Sequence, residues 1–244
     1  MAVAGKRTVH RPSSEPDSQR KLFLIVGNDK PSFKSPRFQR ELNVLVAVVG
    51  LILCLPVFAV VAVLVKLSSR GPVFYKQPRV GVDRRAGRPG GNGRRKIDYG
   101  GKLFTIYKFR TMFTQEGPAQ QVWAGKEDPR ITPIGRVLRK YRLDELPQLI
   151  NVLKGDMNIV GPRPEQPEIF LRLRDEVESY GERQRVLPGI TGLAQINHHY
   201  DMTIDDVRTK VKFDLEYASR QSALEDLRTM VRTVPVVFFR RGGW

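Results

Sequence analysis

From Leu42 to Val65 the chain runs 24 residues without a charge. At about 1.5 Å of rise per residue, a helix of that length covers a hydrocarbon core of roughly 30 Å. The run begins too deep in the chain, and is too long, for a secretory signal. Pro56 stands in its middle; it lacks an N–H and its ring crowds the carbonyl four residues back, which predicts a sharp bend. Lys30, Lys34, Arg37 and Arg40 precede the run, and Lys66, Arg70, Lys76 and Arg79 follow it. Basic flanks mark the cytoplasmic side, and here they mark both ends. A helix that enters the membrane, bends at Pro56 and returns satisfies both features; an ordinary kinked span is the alternative.

Beyond Lys66 the pattern shortens. Gly71 to Tyr75 reads as a turn and a short strand, and Leu103 to Phe109 alternates as a second strand. Between them Asp83 to Gly101, dense in Gly and Arg, reads as a long loop. Helices are expected from Ile134 to Tyr141 and from Asp144 to Leu153, the latter stopped by Gly155, a residue suited to a left-handed cap. Three further apolar stripes have helical spacing: Ile169, Leu173, Val177, Tyr180; Ile204, Val207, Val211, Leu215; and Leu224, Leu227, Val231, Val234. Such stripes normally face a core. In so basic a chain one or two can instead lie on a membrane interface, and Val236 to Phe239, followed by Arg240 and Arg241, is the best candidate.

Charge and composition narrow the picture. The chain of 244 residues has a formal charge of +17, so it seeks anionic partners: nucleic acid, an acidic bilayer face or a phosphorylated substrate. Its length suits one catalytic unit with appendages. Residues 1–40, rich in Ser, Pro, Lys and Arg, are expected to be a disordered basic tail. The single cysteine, Cys54, permits neither an intrachain disulfide nor a cysteine metal site. The histidines His10, His198 and His199 have no partners at zinc spacing. Neither a Walker-type loop nor a dinucleotide fingerprint occurs.

The segment Arg139 to Gly155, RKYRLDELPQLINVLKG, holds the best candidate chemistry. Asp144 is a good N-cap type, Glu145 falls in a first turn, and Pro147 is tolerable only near a helix start. Both carboxylates are therefore expected at a helix N-terminus, where the dipole and backbone donors lower a carboxylate pKa and attract phosphate. Arg139 and Arg142 add positive charge. Read plainly, the same spacing is a cap and a dipole-complementing neighbour. In Gly161-Pro162-Arg163-Pro164, an arginine between two prolines can present its fork in a fixed pose for phosphate; an exposed arginine in a turn is the plain alternative. Lys108 and Arg110, near the end of the second strand, are phosphate ligands or solvated charges.

Taken in order, RGPVFYKQPRVG, FTIYKFRTM, ITPIGRVLRKYRLDELPQLINVLKGDMNIVGPRP and LPGITGLAQI, within Arg40 to Val237, resemble the small monotopic phosphoglycosyl transferases, or bacterial sugar transferases. The resemblance implies an α+β, mostly helical fold with a membrane-embedded re-entrant helix, a short β-hairpin and several amphipathic helices at the membrane interface. It divides the chain into the tail, the re-entrant helix at 41–66 and a cytosolic catalytic domain at 67–244, on the bacterial inner membrane. Asp144 and Glu145 correspond to the family's catalytic pair and magnesium ligands, and Arg139 and Arg163 to its phosphate-binding arginines. The implied reaction moves a sugar 1-phosphate from a UDP-sugar to undecaprenyl phosphate, with Mg²⁺, through an aspartyl intermediate, in glycoconjugate or exopolysaccharide synthesis. Anionic lipids are expected partners and nucleic acid is not.

Three features depart from the family pattern: Leu55 where many members have Ser before the proline, a longer basic insertion between Val82 and Leu103, and the N-terminal tail. The competing readings are a membrane-anchored diphosphate hydrolase, in which water resolves the aspartyl ester, and a non-enzymatic basic protein that binds lipid or nucleic acid.

Overall fold

The computed structural model of the chain describes residues 37–84, 97–114, 128–198 and 203–239. Most of the expected basic tail, most of the Asp83 to Gly101 loop, and Arg240 and Arg241 lie outside the described residues. The long apolar run is helix α1, Arg37–Ser68, with Pro56 inside it. It starts and ends beyond the run read from sequence because the basic flanks continue the helix. It is the one described helix long and apolar enough to cross a membrane. Its outward side stays bare, with Ile52, Leu53, Leu55 and Val60 all largely exposed.

Both halves of α1 dock on the same body. In the first half Gln39 Nε2 donates to Asp226 at 2.6 Å, and Asn43 Oδ1 accepts from the Ile159 N–H at 2.6 Å. In the second half Val61 and Val65 pack with Phe109 and Leu138, and Phe58 meets Phe109 edge-on at 5.1 Å.

Strands β1 (Phe74–Val80) and β2 (Leu103–Phe109) form an antiparallel hairpin, in register from Phe74 opposite Phe109 to Val80 opposite Leu103. Period-two alternation puts Phe104, Ile106 and Lys108 on one face, the first two buried in the core. Helix α2 (Pro133–Lys140) begins with Thr132 accepting from the Gly135 N–H and Pro133 in its first turn. A 3-10 turn, Leu143–Glu145, follows, then α3, Gln148–Lys154, closed by Gly155 at φ +80°. The single helix expected from Asp144 is thus two pieces. Pro147 takes the cap position of α3, since its missing N–H suits a helix start and interrupts anything longer.

Next come β3 (Asn158–Val160), α4 (Pro167–Glu176), a 3-10 turn (Tyr180–Arg185) and β4 (Gly189–Thr191). Strands β3 and β4 pair in parallel. The sequence reading contains neither strand, because three residues are too few to show a period. Their backbones pass so closely that a Cβ on Gly189 would collide with the Gly161 backbone. The chain ends in α5 (Leu193–Asn197), α6 (Ile204–Arg220) and α7 (Ala223–Phe239).

The first two stripes are inside: Ile169, Leu173, Val177, Tyr180, Val207 and Val211 share one buried cluster. The third is not. Leu224, Leu227, Val231 and Val234 of α7 are 50–63% exposed, while Asp226 and Thr229 on the same helix are buried. The ordinary expectation for an amphipathic stripe is reversed here, because the polar side of α7 meets the body through Asp226, bonded by Gln39 and Tyr217.

Candidate active site

The carboxylate pair sits on the 3-10 turn between α2 and α3. Two devices place that turn over β2. Asn151 of α3 uses its amide as a strand would, accepting from the Tyr107 N–H at 3.1 Å and donating to the Thr105 carbonyl at 2.7 Å. Ahead of the turn, Arg142 takes a left-handed conformation, φ +53°. That conformation costs about 1–2 kcal/mol in a residue with a Cβ. It reverses the chain and brings its Nη1 within 3.6 Å of Glu145 Oε2. Strain of this kind gathers where a site over-determines the backbone.

Glu145 is gripped by cations. Lys108 Nζ lies 2.8 Å from Oε1, Arg163 Nη2 is 2.6 Å from the same oxygen, and Arg163 Nη1 is 3.3 Å from Oε2. Arg163, Lys108 and Arg142 together hold this buried carboxyl well below the usual carboxylate range, against the cost of burial. Burial draws the Lys108 ammonium below its ordinary value, and Glu145 opposes that drift.

Asp144 is equally buried but differently served. Its carboxylate takes part in no side-chain hydrogen bond among the described residues, although Lys108, Arg139 and Arg163 lie near enough to stabilise its charge. Burial wins over those cations and pushes its pKa up from the ordinary 3.8. This corrects the sequence expectation that a helix N-terminus lowers it: Asp144 is not the N-cap of α3, and the backbone donors of that helix start do not reach it.

The other expected site residues divide. Lys108, Arg139 and Arg163 are brought to the carboxylates, with Arg139 Nε also donating to Thr111 Oγ1 at 2.9 Å. Arg110 is not. Its guanidinium caps the exit of α1, donating to the carbonyls of Ser69 at 2.7 Å, Arg70 at 2.9 Å and Val65 at 3.3 Å. Alternation explains the outcome: Lys108 and Arg110 share the face of β2, but the strand ends at Phe109 and the chain has by then reached the end of α1. One neighbour escaped the sequence reading as a site residue. Arg79 faces the same way as Lys108, and its charge acts on Arg163 and Glu145; the hairpin register, which pairs Arg79 with Phe104, is the signal that points to it.

Five cations, Arg79, Lys108, Arg139, Arg142 and Arg163, thus surround two carboxylates. That excess suits an anion carrying more than one charge. Magnesium commonly uses one or two carboxylates together with substrate phosphates and water. Asp144 fits such a role. Glu145 does not, because both of its oxygens already face cations within 3.6 Å.

A model of the family described as bacterial sugar transferase matches residues 34–240. The chain belongs to that family. It is 38% identical over 212 residues to a UDP-N-acetylgalactosamine-undecaprenyl-phosphate N-acetylgalactosaminephosphotransferase of Aeromonas hydrophila, covering 87% of this chain and 46% of the relative. It is 39% identical over 198 residues to a UDP-glucose:undecaprenyl-phosphate glucose-1-phosphate transferase of Escherichia coli K12, covering 80% and 39%. The exopolysaccharide production protein ExoY of Sinorhizobium fredii is 37% identical over 221 residues, covering 84% and 88%. The chain therefore spans less than half the length of the first two relatives and most of the third. The resemblance read from the motif string is borne out.

Proposed function

We propose that this chain transfers a sugar 1-phosphate from a UDP-sugar to undecaprenyl phosphate, with Asp144 as the nucleophile. The observation that carries the proposal is the contrast inside the carboxylate pair: Glu145 is saturated with cations, while Asp144, buried beside the same cations, has no hydrogen-bonded partner among the described residues. The named substrates of the relatives, all uridine-diphosphate sugars and undecaprenyl phosphate where the names state them, support the substrate class.

In this reading an Asp144 oxygen attacks the β-phosphorus of the donor. The bond from that phosphorus to the oxygen of uridine monophosphate breaks, leaving a sugar phosphate on the carboxylate. Lys108, Arg139 and Arg163 offset charge on the oxygens of the phosphorus in flight. A phosphate oxygen of undecaprenyl phosphate then attacks the same phosphorus and releases Asp144. A magnesium ion, held by Asp144 and the donor, would neutralise the diphosphate and ease departure of the nucleotide. Glu145 serves as the fixed counter-ion that keeps Lys108, Arg142 and Arg163 in place.

Helices α1 and α7 support the membrane relation. A helix whose two halves both rest on one polar body cannot place its ends on opposite sides of a bilayer unless that body enters the bilayer too. This supports a re-entrant α1, bent at Pro56, and a catalytic body on the cytoplasmic face of the inner membrane. The bare stripe of α7 would lie on the same interface beside anionic lipid.

Enzyme with a suitable UDP-sugar and Mg²⁺, but without acceptor, should release about one equivalent of uridine monophosphate and gain the mass of one sugar phosphate on Asp144. Release only when undecaprenyl phosphate is also present would sink the covalent route. Steady release to water without acceptor would assign a hydrolase instead.

A further inference from the structure

Behind Arg163 lies a second set of charges that touches neither Asp144 nor Glu145 through a hydrogen bond. Three successive carbonyls in the Arg163 segment each have a dedicated donor. Arg183 Nη2 reaches the carbonyl of Arg163 at 3.0 Å, Arg79 Nη1 that of Pro164 at 3.0 Å, and the Val80 N–H that of Glu165 at 2.9 Å. The Glu165 side chain turns inward to Lys210 Nζ at 2.8 Å and lies 3.8 Å from Arg183 Nη1.

Arg183 has no exposed side-chain surface. Its Nε donates to Asp214 Oδ2 at 2.9 Å, its Nη2 lies 2.7 Å from that same oxygen, and its Nη1 donates to the Tyr180 hydroxyl at 3.0 Å. The cluster thereby joins β1, the 3-10 turn at Tyr180 and α6 to one short segment.

A buried ion network is a poor source of stability, because desolvation consumes most of what the pairing returns, and apolar replacements are often neutral or better. What a planar guanidinium supplies instead is direction: its donors lie in a fixed fork, so a carbonyl bonded to it cannot rotate freely. The prolines at 162 and 164 restrict the flanking φ angles but leave the peptide planes to be set by something else. Arg183 and Arg79 set two of them.

We infer that Arg183 and Arg79 are positioning residues for Arg163, holding its peptide so that the guanidinium fork points at Glu145 and at an incoming phosphate. The catalytic half of this inference rests on the proposed function. The structural half does not.

The structural half is tested on the full chain in detergent with phenylglyoxal, which modifies accessible arginines, followed by peptide mass mapping. Arg163, paired with Glu145 and 29% exposed, should react slowly in the wild type. In a double variant, Arg183→Met with Asp214→Leu, both charges go while most of the volume stays. Arg163 should then react at least about tenfold faster, measured well below the thermal midpoint of the variant. Unchanged protection of Arg163 overturns the inference. Should that variant fail to fold, Arg79→Lys, which keeps its charge and leaves the β1 ladder intact, is read in the same way and decides by the same criterion.

The catalytic half is a double-mutant cycle on the burst of uridine monophosphate. Arg183→Lys should slow the burst at least about tenfold without lowering its amplitude, and should add nothing in an Arg163→Ala background. Equal slowing in both backgrounds overturns it, because a merely structural role is indifferent to Arg163. If the wild type gives no burst with any UDP-sugar, the transferase reading fails, and the protection of Arg163 still decides the positioning.

Discussion

Two buried clusters of charge lie back to back in this molecule, and they are built on opposite terms. In the inner one, Glu165, Lys210, Arg183 and Asp214, every acid meets a cation within 3 Å. In the outer one Glu145 is treated the same way, but Asp144 is buried without a donor of its own among the described residues. A fold that can satisfy two acids behind Arg163, and one of the two in front, leaves the remaining one costly to ionise. Under the proposed function that carboxylate is the one left to meet the donor's phosphorus, so the chemistry would fall where the pairing is incomplete.

The sharpest way to break that contrast is Asp144→Asn. It should abolish both the burst and the adduct, a loss of at least about a thousandfold. It should also raise stability at neutral pH, because a buried carboxyl whose pKa is raised costs free energy once it is ionised. A loss of stability equal to that of an ordinary buried acid would contradict the assignment. Chemical denaturation in detergent gives the answer.

Glu165→Gln should do the reverse. Its carboxyl is depressed from 4.5 to about 2 by Lys210 and Arg183, which corresponds to about 3 kcal/mol at about 1.4 kcal/mol per unit. A depressed acid stabilises the fold fully above its unfolded value, so the deficit of the variant should be complete at pH 7. It should shrink as pH falls from 4.5 toward 2. A deficit independent of pH over that range would mean packing, not charge.

Lys108→Met should act on both carboxylates and slow the burst about tenfold. Lys108 is the strongest cationic influence lowering the Asp144 pKa. Without it the acid limb of the burst rate should move to higher pH, since the nucleophile must lose its proton. An acid limb that stays in place would remove Lys108 from the electrostatics of Asp144. The smallest effect is expected on α7: Val231→Ser should leave folding nearly unchanged, because the side chain is 63% exposed, yet reduce binding to anionic vesicles severalfold. Unaltered vesicle binding would leave the bare stripe without a membrane role.

Much of this molecule could be read from its residues. The helix around Pro56, the strand Leu103–Phe109 to the residue and α2, expected from Ile134 and found from Pro133, follow from patterns longer than the noise of a single sequence. Arg163 and Lys108 lie beside the carboxylates as expected because the signals that mark them are local: prolines on either side, a position on a strand. Arg110 was misplaced because its fate depends on where the far end of α1 comes to lie, more than 40 residues earlier. Arg183 and Asp214 carried no signal, as a charged pair in a polar stretch looks solvated until the fold buries it. The α7 stripe has the expected period and stands bare, the outcome left open for one or two of the stripes, since periodicity marks a face without saying what covers it.

The amide of Asn151 has a consequence beyond placing the carboxylates. A ribbon of two strands exposes a raw row of donors and acceptors along each outer margin, an invitation to any other extended chain. By bonding Thr105 and Tyr107 with a side chain, the protein blunts one of those margins with a residue that offers no further strand. A margin closed in this way is not open to a strand from a second copy of the chain.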